Sequence, residues 1–200
     1  MMNRMLLASF GVSAALVMAV ASACTSSGPD IQTLGFLDDY TQLAPGREGQ
    51  ASLIYIDGEA DFSIYSAILI EPVVAVAWGG AGGEPAEATR ARAKELDAGL
   101  RRELAREFEL VDQPRAGALK LRAALASRGD SHLVLEVELL DATSGVRVVA
   151  AVDQRAIEAT SEHVSSANPI DHWPILIRNR LATFRQFDAA ARAREAFENR

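Results

Sequence analysis

Cysteine is nearly absent from this sequence, because Cys24 is the only one among 200 residues. One cysteine cannot form an intramolecular disulfide, so an apolar core has to stabilise the fold. Basic clusters are also lacking: the only lysines are Lys94 and Lys120, and the formal net charge is −7. Nucleic-acid binding depends on clustered lysine and arginine, and the sequence therefore argues against it.

Motifs for catalysis and metal binding are lacking as well. The sequence has no Gly-x-Ser-x-Gly elbow, and its histidines have no His-x-x-x-His spacing; they are His132, His163 and His172. The glycine loop Gly79–Gly83 precedes a predicted helix, as a phosphate-binding loop would, but Glu84 and Glu87 place carboxylates where phosphate would bind. We therefore predict no catalytic, cofactor-binding or metal-binding residues, and no cofactor.

The first 23 residues have the pattern of an export signal. Arg4 is followed by the uncharged, mainly apolar run Leu6–Val20 and then by the small residues Ala21-Ser22-Ala23. As a helix, that run would span about 22 Å, less than the roughly 30 Å of a bilayer's hydrocarbon core. The pattern predicts a signal peptide over residues 1–23 that is cleaved after Ala23.

The segment Val20–Cys24 resembles the lipobox of bacterial lipoproteins, although Ala21 stands where that family usually has leucine. The resemblance implies that Cys24 carries acyl chains, such as palmitate, which anchor the protein to a membrane. The alternative is an ordinary signal peptide that precedes a cysteine by chance. Residues 24–34 are predicted to be a flexible tether. Thr25, in place of an inner-membrane retention aspartate, implies the outer membrane, facing the periplasm.

One folded domain is expected over residues 35–188, followed by an alanine-rich, charged helical tail over residues 189–200. Apolar spacing predicts two turns of helix over Phe36–Leu43 and a long helix from Glu84-Pro85 to Phe108, with proline in its first turn. A last helix is expected to begin after Pro169 or after Asp171. The predicted strands are Leu53–Ile56, Tyr65–Trp78 with a break at Pro72, Glu109–Asp112, Ala118–Ala126, His132–Asp141 and Val146–Ile157.

This order predicts an α+β fold of two layers, in which a mixed, mostly antiparallel sheet carries both main helices on one face. The helix between Tyr65–Trp78 and Glu109–Asp112 fits a right-handed crossover between parallel strands. The strand His132–Asp141 alternates in polarity, which predicts one apolar face and one more polar face. Trp78 and Trp173 are expected to anchor the core.

Several segments together resemble a family of Gram-negative lipoproteins known as domain of unknown function 3313. They are Gly35–Leu37 with Asp39-Tyr40, Asp61–Ser63 with Tyr65, Ile70–Val73, Val111–Pro114, Glu138–Asp141 with Thr143 and Gly145, and Val152–Ala156. The family has no established activity, so the resemblance implies no site residues. The element order from Ile68 onward is also similar to the amino-terminal α/β domain of TolB.

Two hypotheses for function follow. The first is an interaction or structural module of the cell envelope, tethered through lipid on Cys24 and docking on an envelope protein partner. The alternative is a periplasmic ligand-binding or hydrolytic protein whose site is assembled from scattered polar residues. A cleft with convergent polar groups would favour the second hypothesis. An exposed apolar patch or an unpaired strand edge would favour the first.

Overall fold

The computed structural model describes residues 31–79, 83–157 and 168–198. The predicted signal peptide, the cleavage site at Ala23, the lipidation site at Cys24 and the histidine His163 lie outside these ranges. The lipid anchor therefore stays a prediction. No helix within the described ranges is both long enough and apolar enough to span a bilayer.

A mixed sheet of eight strands forms the centre of the described residues. Along the sheet the order is β1-β2-β8-β7-β6-β3-β5, and β4 also pairs with β6. The strands are β1 (Ala44–Pro45), β2 (Leu53–Ile56), β3 (Ala67–Ile70), β4 (Val74–Ala75), β5 (Glu109–Leu110), β6 (Ala118–Arg128), β7 (His132–Asp141) and β8 (Arg147–Ala156).

The long antiparallel strands β6, β7 and β8 follow one another through two tight turns. Gly129 and Gly145 occupy these turns with φ of 55° and 71°, which glycine adopts without a steric penalty. In the second turn, the Asp141 carboxylate accepts hydrogen bonds from the backbone N–H groups of Thr143 and Ser144. Local turn chemistry therefore sets the register of the central strands.

The parallel part of the sheet depends on helix α1 (Glu87–Leu104), which connects β4 to β5. Strand β3 pairs in parallel with both β5 and β6, so the predicted link between parallel strands is confirmed. The chain leaves the sheet between β3 and β4, where Pro72 predicted a break. The start predicted for α1 was wrong, because Ala86 is the N-cap and Pro85 precedes the helix.

Helix α1 and helix α2 (Pro169–Glu198) pack on the same face of the sheet, as the predicted fold class requires. At their crossing, a Cβ added to Gly99 would lie 3.0 Å from Cγ of Pro174, so glycine permits the close approach of the two helices. The residues buried in this core include Leu96, Leu100, Leu104, Leu133, Leu135, Leu139, Ile170, Trp173 and Leu181. The predicted α+β architecture is therefore observed.

The opposite face of the sheet is also covered, by the N-terminal segment Ile31–Leu43. Leu34 and Leu37 are buried there against small side chains of the sheet: Ala124, Ala126, Val134, Ala150 and Val152. No helix forms over Phe36–Leu43, so that prediction was wrong. The predicted tether, residues 24–34, also needs correction at its end, because Leu34 is only 4% exposed and belongs to the folded body.

Candidate functional site

The carboxylate of Glu136 lies at the centre of the second face and is fully buried. It accepts four hydrogen bonds from the N-terminal segment, and we refer to Glu136 with these donors as the Glu136 clasp. The donors are the backbone N–H groups of Leu34 (2.6 Å), Phe36 (3.0 Å) and Leu37 (3.3 Å), and the Tyr40 hydroxyl (2.7 Å). No lysine or arginine of the described residues pairs with Glu136, so these donors alone offset its desolvation.

The segment over Phe36–Leu43 packs on the sheet without forming a helix, although its apolar residues have helical spacing. The N–H groups of Phe36 and Leu37 bond to the Glu136 carboxylate. Gly35, with φ of 74°, lies between the donors Leu34 and Phe36. A left-handed residue at this point turns successive N–H groups toward one anion.

A second buried carboxylate, that of Glu138, holds the same N-terminal segment through two arginines. Arg122 and Arg147 both form ion pairs with Glu138. The guanidinium of Arg147 also donates a 2.6 Å hydrogen bond to the carbonyl oxygen of Asp39. The guanidinium of Arg122 lies 5.1 Å from the centre of the Phe36 ring. The face of β7 predicted to be polar is therefore buried, and its two glutamates fasten the chain that covers it.

Electrostatics keep the Tyr40 hydroxyl protonated. Burial, the hydrogen bond to Glu136 and the negative charge of Glu136 raise the pKa of Tyr40 to about 12. The phenol therefore remains a donor at neutral pH. Since both Glu136 oxygens already accept hydrogen bonds, the clasp has the geometry of a structural fastening.

The two tryptophans have different surroundings. Trp173 is 3% exposed, and its indole N–H donates a 2.7 Å hydrogen bond to the buried Asp153 carboxylate, which confirms its predicted role in the core. Asp153 also pairs with Arg155 at 2.8 Å. Trp78 is half-buried against the second face, and its ring centre lies 6.5 Å from that of His132.

The two described histidines belong to separate elements. His132 begins β7 and its Nδ1 lies 3.1 Å from the Ser131 hydroxyl, whereas His172 is in the first turn of α2. Within the described ranges, no group of three or more histidine, cysteine, aspartate or glutamate side chains could hold a metal ion. Of the glycine loop, only Gly79 and Gly83 are described. The expected absence of metal and cofactor stays a prediction.

Sequence reasoning missed an apolar cavity of about 140 Å³ beneath α2. Its apolar lining comes from β2, β7, β8 and α2: Ile54, Ile56, Val137, Leu139, Val149, Ala151, Leu176, Ile177, Leu181 and Phe184. Glu138 also lines the cavity, but its carboxylate lies on the opposite face of β7, where Arg122 and Arg147 hold it. The other polar lining residues are Gln50 and Arg180.

The far end of α2 carries exposed apolar side chains. Phe187 is 69% exposed and Phe197 is 81% exposed, and both lie beyond Leu181, the last buried residue of the helix. With the exposed Ala190 and Ala191 they follow the spacing i, i+3, i+4, i+10, which places them on one side of the helix. We call these four residues the distal stripe.

The side of α2 next to the distal stripe is fastened to the body. The Asp188 carboxylate accepts a 2.6 Å hydrogen bond from the Phe62 N–H, and Arg192 forms an ion pair with Asp61. The Phe184 ring lies 5.0 Å from that of Phe62. These contacts orient the helix, so the distal stripe is presented in a fixed direction.

Three solved structures show distant likeness to this chain. The PelC dodecamer from Paraburkholderia phytofirmans is 11% identical, covers 66% of this chain and 96% of its own, and has a TM-score of 0.38. Lipoprotein GNA1162 from Neisseria meningitidis is 10% identical, covers 58% and 96%, and has a TM-score of 0.37. Protein XCC0632 from Xanthomonas campestris, of family DUF330, is 13% identical, covers 68% and 93%, and has a TM-score of 0.37.

Likenesses this distant carry no argument about function, and the similarity to the TolB domain stays a prediction. No curated protein matches the chain. Residues 32–128 match the model of the family described as "Protein of unknown function (DUF3313)". This match extends from the clasped N-terminal segment through β6, and it supports the family resemblance predicted from the sequence.

Proposed function

We infer that this protein is a lipoprotein of the cell envelope, held to the outer membrane by acyl chains on Cys24, and that its folded body docks on another envelope protein without catalysing a reaction. The distal stripe of α2 carries this proposal. Two phenylalanines with exposures of 69% and 81% are costly to leave in water, and a partner that covered them would recover the free energy of burial.

The spacing of the distal stripe indicates the kind of partner. Apolar anchors at i, i+3, i+4 and further turns are typical of a helix that docks into an apolar groove. The charges around the stripe are balanced: Arg185, Arg192 and Arg194 against Asp188, Glu195 and Glu198. A partner recognised by apolar contact therefore fits this helix better than a strongly charged surface does.

The Glu136 clasp also supports a tethered docking module. The segment that it fastens packs on the sheet from Ile31 onward, so only residues 24–30 separate the predicted lipid from the folded body. Seven residues span at most about 25 Å when extended. A short connection keeps the body near the membrane and raises its effective concentration for a partner there.

Polar replacement of the two stripe phenylalanines tests the docking surface. The double variant Phe187→Gln, Phe197→Gln should fold normally but fail to complement the envelope defect of a deletion strain, because its apolar anchors are gone. The matched control is Ala189→Gln, Ala196→Gln, which adds the same amides on the other side of the same helix turns. Protein levels are checked by blot. Full complementation by the phenylalanine variant would refute the docking surface.

A histidine variant tests the competing enzymatic hypothesis. The combined change His132→Ala, His163→Ala, His172→Ala should leave complementation intact, since an interaction module does not depend on these titratable groups. The variant must be as abundant and as stable as the unmodified protein. If the triple variant folds but fails to complement, a histidine-dependent site would explain the function better than docking does.

A further inference from the structure

We propose that the cavity beneath α2 binds the end of an acyl chain, with the guanidinium of Arg180 next to the chain's anionic head group. This inference is independent of docking at the distal stripe, which lies further along the same helix. The ligand class is a single-chain amphiphile with a carboxylate, such as a fatty acid.

The size and lining of the cavity indicate the apolar part of this ligand. Its volume of about 140 Å³ is close to that of an apolar protein cavity of roughly 150 Å³ that binds benzene, so about six carbon atoms fit. Apart from the three polar lining residues, only aliphatic side chains and Phe184 border the space. An aliphatic chain end meets this requirement because it needs no hydrogen-bond partner inside the cavity.

Arg180 indicates the polar part of the ligand. Its side chain lines the cavity and is exposed, so the guanidinium stands where the cavity meets solvent. Among the described residues, Arg180 forms no ion pair and donates one long hydrogen bond, 3.4 Å, to the carbonyl oxygen of Gly49. A carboxylate at the end of a bound chain would supply the negative charge that the protein's own side chains do not bring to this point.

The position of the cavity makes it accessible to such a chain. One wall is the half-buried strand β2, close to the edge of the sheet, and the opposite wall is α2. Ile177 and Phe184 are only partly buried, so the apolar side of α2 does not close fully on the sheet between them. A chain can therefore enter from solvent without separation of the two main helices.

Binding of decanoate tests the proposal, with decyltrimethylammonium as a cationic amphiphile of the same chain length. The protein is the full chain carrying Cys24→Ser, purified without detergent, so that neither its own acyl groups nor detergent compete. Calorimetry should show decanoate binding about tenfold more tightly than the cation, because only the anion pairs with Arg180. Methyl resonances of Ile54, Ile56 and Leu181 should shift on binding.

Two kinds of variant locate the binding. Ala151→Leu fills the cavity from the sheet side and should weaken decanoate binding about tenfold or more without lowering the urea midpoint. If Ala151→Leu does not fold, Val149→Phe fills the same space. Arg180→Gln should remove the preference for the anion, whereas Arg194→Gln, on the same helix outside the cavity, should keep it.

Two results would overturn the proposal. The first is that decanoate does not bind to the protein. The second is that decanoate binds to a folded variant with a filled cavity as tightly as it binds to the unmodified chain. Equal affinities for decanoate and decyltrimethylammonium would overturn the role of Arg180. Complementation by the Phe187 and Phe197 variant bears on the docking surface alone, so the two proposals fail separately.

Discussion

The phenol of Tyr40 donates a 2.7 Å hydrogen bond to Oε2 of Glu136, a residue 96 positions further along the chain. Tyr40 belongs to the segment that follows the predicted lipid anchor, and Glu136 lies in the central strand β7. The contact therefore links the segment that follows the predicted anchor directly to the middle of the sheet.

Removal of the Tyr40 hydroxyl should destabilise the fold. Tyr40→Phe keeps the ring but takes one donor from a buried carboxylate, which costs about 1.5–3 kcal/mol for a hydrogen bond to a charged group. The free energy of unfolding is measured by urea denaturation at neutral pH. Tyr55→Phe, a half-buried tyrosine of β2 outside the clasp, is the control and should stay within about 0.5 kcal/mol. Equal losses of unfolding free energy in the two variants would show that the hydrogen bond from Tyr40 to Glu136 does not stabilise the fold.

The turn at Asp141 should make stability depend on acid pH. Burial raises the pKa of Asp141, but hydrogen bonds from Ser144 and Thr143 outweigh this effect and lower it from 3.8 to about 2. The folded state thus favours the ionised form of Asp141. The stability that the ionised carboxylate provides is complete above pH 3.8 and is lost as the pH falls through 2.

Asp141→Asn should therefore be less stable than the unmodified protein at pH 7, and the difference should shrink between pH 3.8 and 2. Urea midpoints measured across this range test the prediction. Asp112→Asn, at an exposed position after β5, is the matched control and should change the midpoint little at any pH. A difference for Asp141→Asn that stays constant down to pH 2 would contradict the assigned role of the turn.

The helix-side core should depend on one leucine from each helix. Leu104 and Leu181 are 0% and 2% exposed, so Leu104→Ala and Leu181→Ala should each cost about 2–5 kcal/mol. Arg102→Ala should stay within about 0.5 kcal/mol, because the Arg102 side chain is 59% exposed. Urea denaturation compares the three. Equal midpoints for Leu104→Ala and Arg102→Ala would refute the assignment of the buried face of α1.

The lipid anchor can be tested at Cys24. Cys24→Ser should abolish labelling by radioactive palmitate and release the protein from the membrane pellet, because the thiol predicted to carry the acyl chains is lost. Export can persist, since Ala21-Ser22-Ala23 also fits the ordinary signal peptidase. A variant that remains labelled and membrane-bound would refute lipidation at Cys24.

Most elements of the sheet were predictable because their signals are local. The strand His132–Asp141 has the predicted bounds, since alternating apolar residues end there at two turns. Leu96, Leu100 and Leu104 identified the buried face of α1 by their spacing alone. The start of α1 was predicted too early because proline is favoured in a first helical turn, whereas Pro85 here precedes the helix.

The sequence by itself determined the export signal pattern, the periodicities and therefore the α+β class, because each depends on residues that are close together in the chain. Tertiary structure alone decided what covers the second face of the sheet. Leu34, Phe36 and Tyr40 meet Glu136 across about 100 positions, and no local spacing encodes such a contact. The cavity likewise depends on the gap between α2 and the sheet, which side-chain shape and helix placement set together.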